Sequence, residues 1–152
     1  METNFFLAIA KNKIFLTTIF TWIIAQSIKV VLGITNEKKF NFKWFVGTGG
    51  MPSSHCAGVA ALATSIGMQF GYHSGIFAVA FIFAIITTFD ARGVRRSAGK
   101  QAEILNKMFE DLYFKKPIKE EKLFELIGHT PIQVFAGVVL GIVCGYVLYN
   151  VL

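Results

Sequence analysis

Four apolar stretches restrict this chain more than any other feature. They are Ile14 to Gly33, His55 to Gly71, Gly75 to Phe89 and Pro131 to Leu152. A bilayer span takes about 20 mostly apolar residues, and each stretch approaches that length. The second and third are short and would tilt, thin the bilayer or end in a cavity. Composition agrees: 54% of residues are hydrophobic, 16% are charged, and mean hydropathy is +0.56. Soluble domains carry about 25% charge, so a water-soluble globule is excluded. Disorder is excluded as well, because a chain this apolar does not stay solvated. The 152 residues imply one domain. The first stretch is not a secretory signal: it lacks a small-residue cleavage site, and Lys29 falls where one would be. Cys56 and Cys144 sit inside apolar runs and read as packing residues. The expected fold is all-α, a small polytopic membrane helix bundle of about four spans plus interfacial helices, as a single domain over 1–152.

The connections orient it. Tyr72 to Ser74 is a tight polar turn, making a hairpin of spans two and three. The polar segments Thr35 to Ser54 and Asp90 to Thr130 then share one side. Between them they hold twelve basic residues, against Lys11 and Lys13 opposite. Basic residues near spans stay cytoplasmic, so both segments are placed in the cytoplasm and both termini outside. The net charge of +6 points to anionic lipid rather than nucleic acid. Within the 90–130 loop, Ala98, Ile104, Leu105, Met108, Phe109 and Leu112 recur at helical spacing and predict an amphipathic helix along the membrane surface. A second short helix is predicted from Ile118 to Ile127, stopping at Gly128.

Four features could carry chemistry. In Gly49-Gly50-Met51-Pro52-Ser53-Ser54-His55, Ser53 or Ser54 can cap the following helix. A helix start suits a phosphate oxyanion, and His55 beside it could donate a proton. The plainer reading is a capped helix with an interfacial histidine. In Gly128-His129-Thr130-Pro131-Ile132-Gln133, Thr130 reads as N-cap, Pro131 as first helical residue and Gln133 as the third, which fits a capping box. Capping explains Thr130 and Gln133 but not His129, which lies on the same membrane face as His55. Arg95 and Arg96, in the run after Asp90, offer planar forks for phosphate, or simply mark topology. Gln26 and Lys29 share a face of span one. A lysine there faces a polar cavity or snorkels. Gly137, Gly141 and Gly145 make a face that packs helices closely or forms a homodimer. His73 reads as surface. No cluster has metal-ligand spacing, and no P-loop is present, so neither metal nor cofactor is expected.

These residues resemble a known group. Pro52-Ser53-Ser54-His55 resembles the Pro-Ser-Gly-His motif of the type 2 phosphatidic acid phosphatases (PAP2). The spacing His129, Gln133-Val134, Gly137, Gly141 resembles their final motif, His-x3-Asp-Val-x2-Gly-x3-Gly. The chain is more similar still to the divergent PAP2 family, also called acid phosphatase/vanadium-dependent haloperoxidase-related proteins. The shared blocks are Ala25-Gln26 with Lys29, Gly49 to His55, Asp90 with Gly93 to Arg96, Ala98-Gly99, Gln101-Ala102, Leu105-Asn106 and Gly128 to Val134.

The resemblance implies a metal-independent phosphatase with a phospho-histidine intermediate. His129 matches the nucleophile, His55 the acid that protonates the leaving group, and Ser53 and Ser54 the phosphate-cradling turn. Lys29 stands for the lysine of the first motif. The superfamily's Lys-x6-Arg-Pro is absent, as is its Ser-Arg before the last histidine, where Leu123 stands. Arg95 and Arg96 are the candidate replacements. Gln133 occupies the place of an aspartate in the superfamily and of a glutamate in the divergent group. A carboxylate there would orient His129 and balance its charge. With Gln133, either Asp90 supplies that charge or catalysis is weakened. The expectation is a lipid phosphomonoester phosphatase of the bacterial plasma membrane, its site facing the cytoplasm. Phosphatidylglycerophosphate, phosphatidic acid or a prenyl phosphate would be the substrate. The alternative is a non-catalytic protein that binds anionic lipid through the basic loop. A haloperoxidase fits a membrane chain less well.

Overall fold

The computed structural model describes residues 4–37, 50–112 and 128–152, leaving aside the side chains of residues 36, 37, 94–96 and 109–112. Among the described residues there are six helices and no strand. They are α1 (Phe5–Ala10), α2 (Lys13–Glu37), α3 (Ser54–Phe70), α4 (Gly75–Arg92), α5 (Val94–Leu112) and α6 (Pro131–Val151). The all-α membrane fold read from the sequence is the fold observed. Segments Lys13–Thr35, Gly75–Met108 and Pro131–Val151 are long and apolar enough to cross a membrane. In the middle one the apolar part is α4, whereas α5 is amphipathic.

The second apolar stretch forms α3. At 17 residues its length is about 26 Å at 1.5 Å per residue, slightly short of a hydrocarbon core of roughly 30 Å. It is the centre of the bundle: α2, α4 and α6 all pack on it. Its own residues explain this, since Cys56, Ala57, Gly58, Ala60, Ala61, Ala63, Ser65 and Gly67 are all buried. Small side chains let neighbouring backbones approach closely, which is the main source of helix cohesion in lipid.

The closest approach is to α6. A methyl group added at Gly141 would meet Ala60 Cβ at 2.7 Å and Ala57 Cα at 2.9 Å. At Gly145 it would meet Ala61 Cα at 3.0 Å, and at Gly137 it would strike the Ser53 carbonyl. The glycine face is therefore filled within the chain by α3. Of the two uses open to it in the sequence, close helix packing is the one observed.

The hairpin turn is as expected. Gly71 adopts φ +83°, and Ser74 caps α4 by accepting from the Phe77 N–H at 3.3 Å. α2 and α4 run toward one end of the bundle; α3 and α6 start there and run back. At the opposite end Lys13 Nζ lies 5.7 Å from the Tyr149 ring, and Tyr149 Oη donates to Gln69 Oε1 at 3.4 Å. The amphipathic helix forms as α5, with Gly99, Ala102 and Asn106 turned inward. Ile104, Leu105 and Met108 are exposed, which leaves an apolar stripe for a membrane surface. The short helix α1 had no clear sequence signal. The helix predicted over Ile118 to Ile127 lies outside the described residues.

Candidate phosphate site

Four helix ends converge at the end of the bundle where α3 and α6 begin. Ser53 is the N-cap of α3, its Oγ accepting from the Cys56 N–H at 3.4 Å. Thr130 caps α6, and both halves of the capping box are present: the Gln133 N–H donates to Thr130 Oγ1 at 3.4 Å, and the Thr130 N–H donates to Gln133 Oε1 at 3.0 Å. Two backbone bonds tie these starts to their neighbours. The Ser53 N–H donates to the Gln133 carbonyl, and the His129 N–H donates to the Ala91 carbonyl near the end of α4, each at 3.0 Å. From α2, Lys29 Nζ reaches Ser54 Oγ at 3.5 Å.

Lys29 is 5% exposed, so it points inward rather than snorkelling. Its stem packs under Gly50, where an added methyl would lie 3.0 Å from Lys29 Cγ. Gly50 has φ +93°, so a side chain there would be strained as well as crowded. Ser53, Ser54 and His129 are buried, His55 is half-buried and Gln26 is buried.

The His129 ring is oriented by its neighbours. The Thr130 N–H needs an acceptor, which fixes the oxygen of the Gln133 amide toward it. His129 Nδ1 lies 3.3 Å from that same oxygen. Nδ1 is therefore the nitrogen that donates to Gln133, and the ring also bonds to the Gly50 backbone. Burial pushes the His129 pKa down, and the charges of Lys29 and His55 push it the same way. The bonds to Gln133 and to the Gly50 backbone oppose this without reversing it. The imidazole is thus held neutral to lower pH than an ordinary histidine.

Lys29, Ser53, Ser54, His55, His129 and Gln133 are brought to this one end. Asp90 adjoins Ala91, whose carbonyl anchors His129, but the Nδ1 partner is Gln133 rather than Asp90. The backbone of Arg95 and Arg96 forms the first turn of α5; their side chains lie outside the described residues. His73 is exposed in the hairpin at the other end, as expected. Among the described residues no group of His, Cys, Asp and Glu could hold a metal ion. Two contributors had no sequence signal of their role: the Ala91 carbonyl, because any residue supplies a carbonyl, and Gly50, whose contact with Lys29 is long-range.

The family model described as "Divergent PAP2 family" matches residues 10–144. The chain is 45% identical over 137 residues to a Bacillus subtilis (strain 168) protein named "Uncharacterized membrane protein YuiD", covering 83% of this chain and 87% of that one. No solved structure matches.

Proposed function

Because the chain belongs to the divergent PAP2 family, we propose that it is a membrane phosphatase that hydrolyses a lipid phosphate monoester at the convergence of α2, α3, α4 and α6. One observation carries the reading: His129, oriented by Gln133 and with its pKa pushed down, shares one end of the bundle with Lys29, His55 and the capped start of α3. A phosphoryl group there faces the first turn of α3 and the Lys29 ammonium, both of which offset its negative charge. His129 Nε2 attacks phosphorus, the bond to the lipid oxygen breaks, and His55 gives that oxygen its proton. Water then loses a proton to His55 and attacks phosphorus. The P–N bond breaks, and phosphate leaves with both histidines restored. Arg95, Arg96 and Asp90 are assigned supporting roles in binding and charge balance.

Gln133 orients the ring but cannot balance the charge that develops on it. A glutamate keeps the capping box and turns a neutral hydrogen bond into a charge-assisted one, worth roughly 1 kcal/mol more. Gln133→Glu is therefore expected to raise kcat about fivefold. Absence of phosphate release from both forms, with anionic lipid still bound, would instead support the lipid-binding alternative.

The pH profile provides a second check. The folded pKa of His129 lies below its unfolded value, so its contribution to stability is complete above the unfolded pKa of about 6.5. That contribution is lost as pH falls through the lower folded value. Activity follows the same neutral form, so the acid limb of kcat/KM should lie below about 6.5. Gln133→Glu should move it upward.

The charge asymmetry supports a cytoplasmic site. A cysteine replacing exposed Lys100 on α5 should resist an impermeant thiol reagent in intact cells and react once they are opened. Ready labelling of intact cells would reverse the orientation.

A further inference from the structure

An apolar groove of about 370 Å³ runs along the bundle between α4 and α6, with α3 as its floor. Its volume falls in the range of small-ligand sites, roughly 300–1,000 Å³. Phe81 and Ile142 stand on either side of it, while Ala60 and Ala63 form the floor. Small residues below and large ones beside make an open groove rather than a flat surface.

The two ends of the groove differ. The far end is closed by Tyr72, whose ring meets Phe77 edge-on at 5.2 Å. The near end, at Thr88, Phe89 and Val138, lies under the phosphate site. Val138 packs on the buried cluster Cys56, Ala91 and Val134, and the Ala91 carbonyl anchors His129. From Phe77 to Phe89 the groove follows twelve residues of α4, which is about 18 Å. That is close to half of a hydrocarbon core of roughly 30 Å, the depth of a single leaflet.

We infer that this groove holds one hydrocarbon chain of the lipid monophosphate whose head group sits at His129, with Ala84 and Tyr72 setting the chain length accepted. The inference rests on the phosphatase reading and adds to it a binding site for the lipid tail. The Lys29 ammonium and the near end of the groove lie toward the same end of the bundle, so a ligand with an anionic head and one long tail matches both. Ala84 lies against the groove at mid-length; a phenylalanine there would block the channel below that point.

The test uses the full chain in nanodiscs and hexadecyl phosphate bearing a diazirine at its far end. Photolysis should place the label on Tyr72, Phe77 and Phe81, and excess inorganic phosphate should suppress it. Ala84→Phe should reduce that labelling at least tenfold, whereas Val79→Phe, on the outward face of α4, should leave it unchanged. Label that is phosphate-sensitive but lands on outward-facing Val79 and Phe135 would overturn the groove alone. Groove label that phosphate does not suppress would overturn the head-group site, and this occupant with it.

Discussion

His129→Ala is expected to reduce phosphate release from a lipid monophosphate by at least about a thousandfold, as loss of a covalent nucleophile does. The fold should survive the change. The anchor of residue 129 is its backbone N–H on the Ala91 carbonyl, which alanine retains. Thr130 and Gln133 still close the capping box around the start of α6. His55→Ala should differ in kind. Its first task is to protonate a departing alcohol, so an aryl phosphate, whose leaving group needs no proton, should restore a rapid first release of phenol, with the water step that also uses His55 still slow. It should restore none to His129→Ala. Assaying both variants on alkyl and aryl phosphates distinguishes the two roles, and equal rescue of both would contradict the assignment.

The second large effect is structural. Gly141→Leu is expected to destabilise the bundle by about 3 kcal/mol or more, at or beyond the upper end of ordinary overpacking. The first added carbon already meets Ala60 Cβ at 2.7 Å and Ala57 Cα at 2.9 Å, and neither backbone can yield without separating α3 from α6. Gly145→Ala meets its neighbours at 3.0 Å and beyond and should cost much less. Thermal unfolding of the two variants in the same nanodiscs measures the difference. Function should suffer alongside stability. α6 follows directly from His129 and α3 carries His55, so a displacement of about 1 Å can cost around a hundredfold in rate. A Gly141→Leu protein with wild-type melting would mean that the α3–α6 contact is looser than described.

Much of this was legible in the sequence, for physical reasons. Helices in lipid satisfy their own backbone, so apolar length alone located α2, α4 and α6 closely. The caps at Ser53 and Thr130 depend on residues only a few positions apart and could be read locally. The interior position of α3 could be read less directly. Its stretch resembles a span, and only packing shows that its small residues serve three neighbours at once. Lys29 posed a real choice between snorkelling and pointing inward. Its contacts with Gly50 and Ser54, more than twenty positions away, decide it, and no local pattern carries such contacts. Gln133 was visible as an altered position. That its oxygen serves both the cap and the His129 ring required the fold.

The most direct measurement is an experimental structure of the full chain with orthovanadate, which takes the place of the phosphoryl group. The account predicts vanadium bonded to His129 Nε2, an apical oxygen within hydrogen-bonding reach of His55, and an equatorial oxygen facing Lys29 and Ser54. Vanadate bound elsewhere, or touching one imidazole while the other lies beyond reach across lipid, would contradict it.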